Sequence, residues 1–342
     1  MKKIFLIGLT AAAMLASCSN DETVEMAQQK AIGFSNAFVN NGTRSIVDPS
    51  FTTLTLKDFA VYGFTQKGQI FNGEKVSDTT STGWSYDNVQ YWVPGNTYTF
   101  GAIAPHRAAN VSDVKLPEGA TKVEMKVAFT NTDAGQVDLL HAAPTQIAGT
   151  AVTPTYTEAV SMTFNHQLSK VKFSFENAVG AGYNVKVSNV KIEDAYEKGT
   201  LTVAAAGNTW DNQTNKNLEL NFGNVVDKAS GTNAAFIANT KTLESYNEKL
   251  MIPMGNTAIY TVTFTAELFK DNVPLGTYNH TVEIKNVEFK LGYCYNFKAS
   301  LTHKNITGPD KLNEIKFNVT SFGNWNKEAD KNLNVPTTHS GI

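Results

Sequence analysis

Cysteine is nearly absent from this chain: Cys18 and Cys294 are the two among 342 residues. A disulfide-stapled scaffold is thereby excluded, and stability must come from burial. Charge is also sparse. Only 18% of residues are charged and the formal net charge is -2, so no basic surplus exists to neutralise a phosphate backbone, and nucleic acid is not an expected partner. Long apolar runs are lacking beyond the N-terminus, and the first of them, residues 4–15, spans 12 residues. A membrane-crossing helix needs roughly 20. The histidines, at 106, 141, 166, 280, 303 and 339, never pair at ligand spacing, and no cysteine cluster accompanies them. No metal or other cofactor is called for. A GxSxG elbow and a phosphate-binding loop are missing too. Gly180-Ala181-Gly182 starts a GxGxx pattern, but Val185 stands where the third glycine belongs, so it reads as a hairpin turn. The chain is not expected to be an enzyme.

What is present favours strands. Thr, Val, Tyr and Phe are frequent, with Asn and Gly between them, a composition that suits twisted antiparallel sheets and tight turns. The length suits two domains of roughly 100 to 200 residues each. At the N-terminus Lys2 and Lys3 precede the apolar run, and Leu15-Ala16-Ser17-Cys18 sets small residues before a cysteine. Residues 1–17 therefore read as a lipoprotein signal peptide, with Cys18 as the mature, diacylated N-terminus. Cys294 is then left without an intramolecular partner.

Along the chain, Ile32, Phe34 and Phe38 share even positions in residues 31–39, the period of a strand with one buried face, although Asn36 interrupts the stripe. A polar connector, Asn40-Asn41-Gly42-Thr43-Arg44, follows and is expected to lie open to a protease. Further strands are predicted at 59–64, 98–104 and 123–129. The pattern dissolves into Ala, Pro, Thr and Gly over 142–158, where Pro144 and Pro154 would deny ladder hydrogen bonds. A second series follows at 160, 171–175, 185–192, 258–268, 280–284, 293–297 and 315–319. The expected organisation is a signal peptide (1–17), a segment with the first strand and its exposed connector (18–44), an N-terminal β-sandwich domain (45–155) and a C-terminal one (156–342).

Phe164, His166 and Leu168 share a strand face, where an imidazole can hydrogen-bond a backbone carbonyl inside a sandwich. That structural role is preferred to general-base catalysis. The run Phe164-x-His166-x-Leu168-Ser169-Lys170-Val171 also resembles the central signature of the fimbrillin (Mfa-like) family of Bacteroidales. Tyr91-Trp92-Val93-Pro94 with Tyr98-Thr99-Phe100 and Ala104-Pro105, Asp138-Leu139-Leu140-His141-Ala142, Gly292-Tyr293 through Phe297, Ile315-x-Phe317-x-Val319 and Trp325 are similar to further landmarks in the family's order. Ser19-Asn20-Asp21-Glu22 is either a flexible tether or resembles the acidic surface-export signal of Bacteroidales lipoproteins. Asp78-Thr79-Thr80 resembles an O-glycosylation acceptor, with Thr79 as the modified residue; an unmodified solvated loop is the alternative.

The resemblance implies an all-β type V pilus subunit with two tandem transthyretin-like β-sandwich domains, lipid-anchored through Cys18 to the outer membrane and exposed at the cell surface. It implies cleavage between Arg44 and Ser45 by a trypsin-like protease, which makes 18–44 a propeptide with a removable first strand (Ile32, Phe34, Phe38), and assembly with other fimbrillin subunits by β-strand exchange. Beyond Trp325 the tail is polar, and only Leu333 and Val335 share a strand face before Pro336. Such a thin donor strand leaves both stalk and tip roles open, whereas an anchor should keep its first strand. The alternative is a surface glycan-binding lipoprotein with Trp84, Tyr86, Tyr91 and Trp92 as stacking platforms.

Overall fold

A computed structural model describes residues 30–39, 56–78, 83–116, 123–143, 159–255, 257–308, 314–324 and 335–336. In chain order the strands are β1 (Phe34–Val39), β2 (Asp58–Thr65), β3 (Gly68–Ser77), β4 (Tyr98–Ala104), β5 (Val111–Lys115), β6 (Met125–Thr130), β7 (Leu140–Ala142), β8 (Val160–His166), β9 (Ser169–Asn177) and β10 (Tyr183–Val203). They continue as β11 (Thr209–Gly223), β12 (Val225–Asp227), β13 (Thr232–Asn233), β14 (Thr242–Ser245), β15 (Lys249–Met251), β16 (Tyr260–Lys270), β17 (Val273–Ile284), β18 (Tyr293–Leu301), β19 (Phe317–Asn324) and β20 (Val335–Pro336). One short helix, α1 (His303–Thr307), is capped by Thr302. The protein is all-β.

The first sheet has the order β1-β8-β7-β4-β2-β3. Its central strands β2 and β4 are buried on both faces, which is why they read as near-continuous apolar runs. Phe59, Val61, Phe100 and Ala102 enter one core with Phe164, while Ala60, Tyr62, Phe64 and Ile103 enter another against β6 and β10. The second sheet runs β17-β16-β10-β6-β5, with β11 also paired to β10. The third runs β13-β12-β14-β9-β18-β19-β20, with β15 on β9.

Strand β10 ties the molecule together. Over its first half it pairs with β16, and Val185, Val187 and Ile192 join Phe173, Phe297 and Phe317 of the third sheet in a large core. Over its last residues it pairs with β6, and Leu201 and Val203 join the core beneath the first sheet. The expected boundary at 155/156 lies outside the described residues. Strand β8, which follows it, is hydrogen-bonded into the first sheet beside β7 and β1.

Gly180-Ala181-Gly182 does not form a hairpin. It joins β9 of the third sheet to β10 of the second, with both glycines at positive φ. The two flanking strands face each other across a core instead of sharing a ladder. Hairpin geometry is found between β16 and β17, where Asp271 and Asn272 both have positive φ, as a two-residue type I′ turn requires. Cys294 is a buried free thiol, and burial holds its pKa up at about 12.

Candidate functional site

The segment 30–39 enters the fold from outside the first sheet and completes it in two ways. Its first residues run beside the loop that precedes β4. Ile32 N donates to Gln90 O at 2.8 Å, Trp92 N donates to Lys30 O at 3.0 Å, and Ala31 bridges Tyr91. Tyr86 Oη donates to Ile32 O at 2.6 Å. The segment then turns along the sheet edge, where Val160 N donates to Gly33 O at 2.8 Å and β1 continues parallel to β8. The chain is therefore held by main-chain bonds on both sides.

Between these ladders the side chains fill a core. Ile32 is 1% exposed and Phe34 5%. The Phe34 ring lies 6.0 Å from Phe59, 5.7 Å from Phe71, 5.7 Å from Tyr86 and 6.1 Å from Phe100, each edge to face. That arrangement suits the charge distribution of aromatic rings. Four rings drawn from β2, β3, β4 and the loop between β3 and β4 thus form a cage around one residue of β1. Beyond Ser35 the ladder shifts register, so Phe38 pairs with Thr163 and Val39 with Phe164. An extra residue is accommodated where Asn36 interrupts the apolar stripe.

Cys18, Arg44, Ser45 and Thr79 lie outside the described residues. Three of the four aromatics considered as sugar platforms face inward. Trp92 stacks edge-on to Tyr98 at 4.8 Å, Trp84 tilts onto Phe59 at 5.1 Å, and Tyr86 walls the Phe34 cage. Tyr91, 48% exposed, is open to solvent.

Two of the sequence landmarks prove to be neighbours. Strands β7 and β8 pair so that Leu140 faces His166 and Ala142 faces Phe164. His166 is buried, but its Nδ1 meets the Asp138 carboxylate at 2.6 Å, not the backbone carbonyl expected from the strand pattern. His141, also buried, accepts from the Asn208 amide at 3.1 Å through Nδ1. Burial lowers its pKa to about 4. Just past His166 the same signature enters the third sheet: Gly292 N donates to Leu168 O at 3.0 Å, and Lys170 pairs with the buried Glu248 at 3.3 Å. These residues knit the sheets together. Among the described residues no group of three His, Cys, Asp or Glu side chains is placed to hold a metal.

The geometry defines a β-sheet protein whose first strand, from residues 34–39, closes one edge of the first sheet and fills its core. The pattern of the family described as Fimbrillin-like matches residues 43–320, and the chain belongs to that family. Membership of that family makes it a structural, non-enzymatic fimbrial subunit. Among solved structures, the fold is similar to a fimbrial protein from Bacteroides vulgatus, at 16% identity and a TM-score of 0.62, covering 86% of this chain and all of that one. Candidate cell adhesion proteins from Bacteroides eggerthii (10% identity, TM-score 0.49, 86% and 95% covered) and Bacteroides ovatus (15%, 0.47, 88% and 99%) are further similar structures. No curated protein sequence matches this chain.

Proposed function

We propose that the chain reaches the outer-membrane surface as a lipoprotein through Cys18, is cut between Arg44 and Ser45 by a trypsin-like protease, and assembles by accepting a strand from another fimbrial subunit. The observation that carries this reading is the Phe34 cage and its double ladder. Loss of residues up to Arg44 removes β1, bares the edge of β8 and opens the cores around Ile32 and Phe34. Each fully buried side chain of this kind is worth about 1.5 to 3 kcal/mol, and each lost hydrogen bond leaves a backbone group without its partner. An empty groove is therefore unstable, and an added strand is the simplest remedy.

Covalent attachment explains why the precursor waits. While β1 remains part of the chain it occupies the groove at a high effective concentration that a free donor cannot match. Cutting the connector removes that advantage. Incubating precursor and Arg44→Ala with limiting trypsin, together with a donor subunit, tests the sequence of events. Boiling-sensitive ladders on gels are expected from the wild type and absent from the mutant; ladders of equal intensity from the uncut mutant would refute strand release.

A further inference from the structure

A second concavity lies away from the strand groove, between β2, β3 and β5 and the loop after β4, with a volume of about 340 Å³. That is the small end of ligand pockets, which run from about 300 to 1,000 Å³. Its wall carries Tyr62, Asn72, His106, Arg107, Ser112 and Asp113. We propose that this cleft binds a carboxylate-bearing sugar residue, with Arg107 taking the carboxylate and the surrounding polar groups taking the hydroxyls.

Charge bookkeeping points to an anion. The cleft's two neighbouring carboxylates each have a lysine of their own: Asp113 with Lys115 at 3.3 Å and Asp58 with Lys75 at 3.7 Å. Burial, and then the charge of Arg107, lower the pKa of His106, so the imidazole adds little positive charge at neutral pH. Among the described residues the exposed Arg107 guanidinium has neither a hydrogen bond nor an ion pair, and it is the uncompensated charge of the cleft. Its planar fork matches a carboxylate in two parallel bonds. Arg107 also holds a positive φ of 49°, a conformation that non-glycine residues adopt at a cost.

The remaining groups suit a polyol better than a bare anion. Tyr62 Oη has no hydrogen-bond partner among the described residues and lies over Gly73, where an added Cβ would come within 3.1 Å of it. Asn72 accepts from Gln69 through Oδ1 at 3.2 Å, leaving its amide hydrogens for a ligand. Ser112 donates to Ala128 O at 3.4 Å, which keeps its lone pairs as acceptors. Asp113, on the cleft wall, can accept from sugar hydroxyls.

The test is saturation-transfer NMR on the full chain with methyl β-glucuronide, methyl β-glucoside and inorganic phosphate. Saturable binding of the glucuronide is expected, with at least about tenfold weaker binding of the glucoside, which lacks the carboxylate for Arg107; tenfold corresponds to about 1.4 kcal/mol. Arg107→Gly should abolish glucuronide binding while keeping the fold, because glycine adopts that φ without strain. Tyr62→Phe should weaken binding several-fold. Equal binding of the two glycosides, undiminished binding to Arg107→Gly, displacement by phosphate at matched concentration, or no saturable binding at tens of millimolar would each overturn the assignment.

Discussion

Phe34 fills a cage of four aromatic rings. Truncating a buried Phe to Ala costs about 3 to 5 kcal/mol in a well-packed core, and the four rings around Phe34 have no other filler in the precursor. Phe34→Ala should lower precursor stability by that order in urea unfolding. If the first strand leaves on cleavage, as proposed, the same substitution should leave an assembled, cleaved subunit unchanged. His141 gives a second test with a definite sign. Its folded pKa, about 4, lies below the ordinary 6.5, so between those values the unfolded chain binds a proton that the folded chain does not. Stability therefore falls as pH drops through that window, by roughly 3 kcal/mol for this one group. His141→Gln should flatten the decline of unfolding free energy between about pH 6.5 and 4, and an unchanged slope would show that His141 stays accessible to protons. At this scale the sequence was partly readable. Alternation singled out Ile32 and Phe34, because burial on one face leaves a period of two. The Tyr86 hydroxyl on Ile32 O and the Asp138 carboxylate on His166 come from 54 and 28 residues away, and no local pattern records such pairings.

Elements were legible where burial imposed a pattern and obscure where pairing alone makes the strand. Strands β2, β4, β6 and β16 carry dense or alternating apolar residues, and the sequence places them. Strand β11 spans Trp210-Asp211-Asn212-Gln213-Thr214-Asn215 and is largely exposed there; it exists because β10 offers it an edge. The 21-residue length of β10 is likewise tertiary in origin, since two cores in succession bury its two halves. Gly101 shows how tightly the first and second sheets meet. A Cβ on this β4 residue would stand 2.5 Å from Val123 Cγ1, closer than atoms tolerate. Gly101→Ala should destabilise by about 1 to 3 kcal/mol, the usual cost of overpacking a core. Its urea midpoint should fall with no change in slope, whereas wild-type stability would mean that the sheets can separate to make room.

On the scale of the whole molecule, three sheets share their cores through a few connecting elements. Three sheets, joined through β10 and through the stretch from His166 to Lys170, hold together without recourse to disulfides, as the scarcity of cysteine requires. The terminal segment is different: it approaches from one end of the chain, closes an edge and fills a cage that the remaining residues form but do not fill. At the opposite end of the chain Val335 and Pro336 pair with Val319 and Asn318 at the edge of the third sheet, so both edge positions are held by terminal pieces. Sequence order could name the first segment as a strand, but not the ladder it makes with 90–92 before it reaches β8. Native mass spectrometry of filaments sheared from cells examines the exchange itself. Under strand release, subunits of this chain in the filament are expected to begin at Ser45 and to carry no fragment containing residues 30–39, covalent or bound; filaments in which residues 30–39 still accompany the subunit would contradict strand release.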